Sequence, residues 1–208
     1  MKTKPILFST DMVQANLAGR KTNTRRIVDD IHTGFLEWAF KEKKNLADWI
    51  FRNAKHKMGD VLWVRESFCT FVSETGGIRT HYKASANWAF LQAAKLYWKP
   101  SIHMPKEAAR LFLKILNVRV ERLQDISAAD AIAEGILPLT MSNAQLIEMG
   151  QLYSDYSKAP EMFNNGLDPI SSFKTLWQKI NGIDSWKENP FVWVYEYQII
   201  EKPKNFLQ

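Results

Sequence analysis

The chain is short of the groups on which several chemistries depend. It has one cysteine, Cys69, in 208 residues. A single thiol excludes an internal disulfide framework and fits a reducing cytosol. Cys69 also lies in a strand-like run among apolar residues, where a thiol is normally buried and inert, so a cysteine nucleophile is not expected. The four histidines, His32, His56, His81 and His103, are scattered. No Cys/His cluster has metal-ligand spacing, so no metal or other cofactor is expected. No glycine-rich nucleotide fingerprint is present. No uninterrupted apolar run approaches a membrane span, and the one near the N-terminus is too short for a signal peptide. The expectation is a cytoplasmic protein with no membrane partner. Acidic residues are the minority, 22 against 28 Lys and Arg, for a net charge of +6. That balance favours a polyanionic partner through phosphate neutralisation and counterion release, although many basic proteins bind no nucleic acid.

What remains is ample for a folded domain. With 46% hydrophobic and 24% charged residues the chain can bury a core and stay in solution, as one domain with insertions or as two small ones. The eight tryptophans serve partly as core, but in a basic protein they also supply surfaces for stacking bases.

Charge is densest from Arg20 to Arg26, where four cations and two threonine hydroxyls fall in one run. A helical pattern with Val13 and Leu17 on one face precedes it, capped at Ser9, Thr10 or Asp11 and stopped at Gly19. Thr22-Asn23-Thr24 then favours extended or turn geometry. Alternation points Lys21, Asn23 and Arg25 one way and Thr22, Thr24 and Arg26 the other. Such a segment can hold an anion or a planar polar ligand, or it can be a solvated face. Gly19-Arg20-Lys21-Thr22 is not a P-loop: the first glycine of that motif is missing and the helix precedes the motif rather than following it.

Elsewhere the pattern predicts strands over 4–8, 61–68, 111–123 and 191–200, and helices over 36–52, 87–96, 105–110, 127–134 and 172–180. Gly76-Gly77 suits a hairpin turn. Parity of the apolar residues changes at Ile115-Leu116, which predicts a bend or bulge. The polar stretch 137–170 reads as an insertion, partly helical around 142–157. In 61–68 Glu66 interrupts an apolar face and is expected to meet a partner. Trp63 and Arg65 share the other face, where the pair covers a base or sugar, or the ring packs beneath the arginine stem.

Taken together, Ile6-Leu7-Phe8-Ser9, Leu17 to Arg26, Gly59 to Glu66, Trp98 to Pro105, Ala131 to Ile136 and Asn189 to Val194 resemble the ASCH-domain family of the PUA-like fold, in its long phage- and prophage-associated branch. The resemblance spans nearly the whole chain, with gaps near 30–57, 70–97 and 137–172. It implies an α+β fold: a single small, mostly antiparallel PUA-like β-barrel with flanking helices and insertions near 30–57, 70–97 and 137–172. It also implies an RNA or nucleoside partner in a bacterial host.

Some family members remove the acetyl group from N4-acetylcytidine with a lysine, a threonine and a glutamate. Matched motif by motif, these fall on Lys21, Thr24 and Glu134. The chain departs from those enzymes in its greater length, in Arg25-Arg26 after Thr24 and in its insertions. Other members of the fold bind RNA or modified bases, or cut RNA. From the residues themselves, Glu134 sits at a helix end where the dipole disfavours negative charge by roughly 0.3–1 kcal/mol. A lysine, a hydroxyl and a carboxylate in one pocket can cleave an amide. The binding candidates are Arg20, Arg25, Arg26, Trp63, Arg65, Glu66, Ser101, His103 and Arg110, with Lys99 beside them. A nuclease using Ser101 or Thr24, and a protein partner docking on 137–170, remain alternatives.

Overall fold

The computed structural model describes residues 3–72, 77–86, 97–158 and 166–207. In chain order the elements are β1 (Thr3–Leu7), α1 (Thr10–Leu17), β2 (Asn23–Ile27), α2 (Thr33–Lys41), α3 (Ala47–Asn53), β3 (Val61–Arg65), β4 (Phe68–Val72), β5 (Ile78–Tyr82), β6 (Phe112–Arg122), α4 (Ala128–Ala133), α5 (Asn143–Met149), α6 (Pro169–Asn181) and β7 (Phe191–Ile200). The class is α+β. The described strands form a mixed five-stranded sheet in the order β1-β3-β6-β7-β2 and a separate two-stranded pair, β4-β5. β1 runs parallel to β3, whereas β3 is antiparallel to β6 and β2 is antiparallel to β7. No helix among the described residues is long and apolar enough to cross a membrane.

The chain divides into two compact units, each discontinuous in sequence. The first comprises Met1–Ala18, Met58–Leu116 and Tyr197–Gln208. Its core gathers Val61, Trp63, Phe68, Met104, Ala109, Phe112 and Phe206. α1 starts at Ser9, whose hydroxyl accepts from the Met12 amide. It is pinned by buried Asn16, whose side-chain oxygen accepts from the Tyr197 hydroxyl at 3.0 Å. The second unit comprises Gly19–Lys57 and Asn117–Glu196. Its core gathers Leu123, Ile126, Ala131, Ile136, Tyr153, Phe173, Trp177, Val192 and Val194. Along β6 Phe112, Leu113 and Ile115 are buried, Leu116 is exposed and Val118 half-buried, so of the positions expected inward after Ile115 only Val120 is buried.

Four predicted elements differ. The single helix expected over 36–52 is two helices, because Lys43 adopts φ +50° between them and Asn45 accepts from the Ala47 amide to start the second. The helix expected over 105–110 is only a short turn at Lys106–Ala108, since Pro105 stays extended at ψ 160°. The last helix begins three residues earlier than predicted, at Pro169, with the Asp168 carboxylate accepting from the Ile170 and Ser171 amides. The strand expected over 61–68 breaks after Arg65, and Phe68 opens the β4-β5 pair. The helix expected over 87–96 lies outside the described residues, as does Gly76 of the predicted turn.

Candidate active site and binding groove

Gly19, at φ +70°, ends the run of α1 and turns the chain into the cationic segment. Lys21 forms an isolated antiparallel bridge with Glu134, and the Thr22 amide donates to the Ala133 carbonyl at 2.8 Å. The segment is thereby fastened to the C-terminal end of α4, which Gly135 stops at φ +87°. The Lys21 ammonium donates to Glu134 Oε2 at 2.7 Å and to the Glu134 carbonyl at 2.9 Å. Arg20 donates to the Gly135 carbonyl at 3.0 Å. The unfavourable carboxylate at this helix end is thus answered by Lys21, while Lys21 and Arg20 donate to the carbonyls of Glu134 and Gly135, the arrangement the helix dipole favours.

Lys21 is 1% exposed and Glu134 5%. Burial, above all, holds the Lys21 ammonium below the ordinary lysine range; Glu134 pulls it up, and Arg26 and Arg25 push it down further. Glu134 also accepts from Arg25 Nη1 at 3.0 Å, on its other oxygen. Arg25 in turn reaches Glu121 at 2.5 Å and Asp130 at 3.3 Å. Asn23 donates to Asp130 at 3.0 Å. Arg119 completes the lattice, bridging Glu121 at 3.0 Å, Asp130 at 2.5 Å and Glu196.

Thr24 lies on the other face of β2. It is fully buried, pairs with Tyr195 across the strands, and its hydroxyl accepts from Arg26 Nη1 at 2.9 Å. Burial pushes the Tyr195 phenol up to about 12. The structure therefore brings Lys21, Arg25 and Glu134 into contact, while the Thr24 hydroxyl is engaged on the face opposite Asn23 and Arg25.

The remaining candidates belong to the other unit. Glu66 is 1% exposed and its partner is Arg110, which grips both carboxylate oxygens at 2.8 and 2.9 Å. The Arg110 guanidinium lies 4.0 Å from the Tyr82 ring centroid. Trp63 is buried against Phe206, with the Arg65 guanidinium 5.6 Å over its ring, so the ring packs beneath the arginine. Arg65 donates to the Met104 carbonyl at 3.0 Å and to that of Ile102. Ser101 and His103 bound a short turn held by Pro100. His103 lines a groove of about 580 Å³ with Phe68, Thr70, Tyr97, Lys99, Pro100 and Pro105. Sequence reasoning reached Lys99 and His103 here but missed Tyr97, Phe68 and Thr70. Among the described residues no group of three or more His, Cys, Asp or Glu is placed to hold a metal.

No family model matches the chain, and no curated protein matches it. Among solved structures it is similar to a DUF984 protein from Enterococcus faecalis, at 9% identity and a TM-score of 0.40, over 97% of this chain and 77% of that one. It is also similar to an ASCH domain from Lactobacillus crispatus, at 12% identity and a TM-score of 0.37, over 97% of this chain and 81% of that one.

Proposed function

We propose that this chain is an ASCH-like module, a PUA-like barrel enlarged by insertions, that binds a nucleoside, a nucleotide or a short stretch of RNA. The supporting observation is the groove at Lys99 and His103. Its volume, about 580 Å³, suits a ligand of nucleotide size. The Tyr97 ring, 80% exposed, is available to stack on a base. The Lys99 ammonium and the His103 imidazole supply donors for a phosphate, and Thr70 adds a hydroxyl. By contrast Lys21, Arg25, Arg65 and Arg110 already spend their hydrogen bonds on carboxylates and carbonyls of the protein. Cytidine monophosphate titrated by calorimetry should bind, and more weakly as salt rises. The Lys99→Ala, His103→Ala double variant should bind roughly tenfold more weakly or worse, through loss of charge-assisted contacts. Equal binding by the double variant, or none by the wild type at low salt, would rule the groove out.

A second reading is favoured by one observation, the buried Lys21–Glu134 contact. A lysine held below its ordinary range beside a carboxylate gives up its proton more readily than a free lysine, and an amide on a modified nucleoside such as N4-acetylcytidine is the matching substrate. In this reading the Thr24 hydroxyl, released by Arg26, attacks the amide carbonyl; Lys21 takes its proton and gives it to the leaving nitrogen as the C–N bond breaks, and water then frees the acyl group from Thr24 as a carboxylic acid. Deacylation followed chromatographically should then rise with pH through a value below the normal lysine range and vanish in Lys21→Ala. Turnover that survives in Lys21→Ala, or no turnover on any acylated nucleoside, removes the hydrolytic reading and leaves the binding one.

A further inference from the structure

The insertion carrying α2 and α3 holds an aromatic ladder that neither reading above uses. Its root is Trp193 of β7, 7% exposed. Trp49 lies parallel to Trp193, with centroids 5.3 Å apart and planes 9° apart. Phe35 stacks on Trp49 at 5.5 Å and 21°, and Trp38 leans against Phe35 at 5.8 Å and 46°. His32 braces Trp49 edge-on at 5.2 Å. The ladder therefore runs from a buried ring outward to rings left in water: Phe35 is 40% exposed and Trp38 is 51% exposed. α2 buries only Leu36 and Ala39, and α3 buries no residue. Rings fixed from below and bare above form a platform rather than a core, since apolar side chains of this size are normally covered.

The charge around the platform identifies what covers it. From 41 to 57 the sequence carries Lys41, Lys43, Lys44, Arg52, Lys55 and Lys57 against Glu42 and Asp48. Lys41, Lys43 and Lys44 are exposed, and the Lys44 ammonium stands 5.7 Å from the Trp38 ring centroid. Glu37, the acid of α2, is occupied by Arg122 at 3.0 Å. We propose that this face docks single-stranded nucleic acid, with bases extending the stack on Phe35 and Trp38 and Lys41, Lys43 and Lys44 tracking the phosphates. Every base offers a flat face, so such a platform tolerates any sequence, and the cationic rim adds salt-dependent attraction. This inference rests on the nucleotide-binding reading but places the strand on a separate surface.

The test is fluorescence anisotropy of labelled decauridylate with the full chain at about 50 and about 200 mM salt. Trp38→Ala should weaken binding roughly 5- to 150-fold, the range for one stacked base, whereas Trp38→Phe should retain most of it. Lys43→Glu, Lys44→Glu should flatten the salt dependence. Cytidine monophosphate binding at the His103 groove should be unchanged in all three, which also reports that they fold. If Trp38→Ala binds decauridylate like the wild type, the inference is overturned. It is overturned too if Trp38→Ala alters only self-association, which would make the ladder a protein interface. Wild type that binds cytidine monophosphate but no decauridylate overturns this inference alone. Wild type that binds neither overturns the nucleotide reading as well.

Discussion

Glu134→Gln is expected to lower stability by about 3–5 kcal/mol, the usual effect of removing one member of a buried ion pair. The reason is what stays behind. Glu134 answers Lys21 on one oxygen at 2.7 Å and Arg25 on the other at 3.0 Å, and both cationic side chains are 1% exposed. An amide of the same shape offers one acceptor and presents an NH₂ to the second cation. Arg25 retains Glu121 and Asp130, whereas Lys21 loses its ion pair with Glu134 and keeps its hydrogen bond to the carbonyl of residue 134. Lys21→Met removes a charge that burial already disfavours and leaves Glu134 paired with Arg25, so its loss should be smaller. The sharper expectation concerns order. In a Glu134→Gln background, adding Lys21→Met should be neutral or stabilising, because it removes a buried cation that has lost its carboxylate. Urea unfolding of the four proteins measures the cycle. A Glu134→Gln loss below about 1 kcal/mol, or additive losses in the double variant, would show that the pair is not the anchor of this segment.

The parts of this centre that sequence reasoning reached are those with a local signature. Gly19 and Gly135 mark two helix ends, and both adopt positive φ. Glu134 is conspicuous as an acid at a helix C-terminus, and the motif resemblance paired it with Lys21, 113 residues away. The other carboxylates left no trace. Glu121 and Asp130 meet Arg25 only because β2, β6 and α4 are brought together, and nothing in a single sequence records that. For the same reason the cationic run read as a place for an anion or a planar polar ligand: a list of arginines does not say which are already paired. β2 itself was visible as an extended segment but not as a buried strand, since Thr24 and Arg25 are both buried there and hide the apolar alternation on which strand detection depends. Trp63 beside Arg65 was legible as a pair; which side of the pair faced the core was not, because that is settled by Phe206 at the far end of the chain.

Phe206 carries the second large expectation. Although two residues from the C-terminus, it is 1% exposed and belongs to the core of the first unit. Its ring meets Phe112 edge-on at 4.7 Å and Trp63 at 6.1 Å, while the Lys106 and Lys202 ammonium groups stand 4.7 and 5.7 Å from its centroid. Truncation leaves a cavity between two aromatic rings that cannot close without moving β3 and β6. Phe206→Ala should therefore destabilise by about 3–5 kcal/mol. Leu207→Ala next to it should change stability by no more than about 0.5 kcal/mol, because Leu207 is 52% exposed. The contrast separates a plugged core from a generally intolerant tail. A functional consequence follows from the same cluster. Met104 and Phe68 pack in it with Phe206, and Phe68 lines the groove that also holds His103. Loosening the cluster frees both Phe68 in the groove's lining and Met104, which follows the turn that carries His103. In Phe206→Ala, cytidine monophosphate should bind more weakly even at temperatures where circular dichroism shows a fully folded chain. Wild-type stability in Phe206→Ala would mean that the tail does not close this core. Wild-type affinity in a destabilised variant would mean that the groove does not depend on the cluster that Phe206 shares with Phe68.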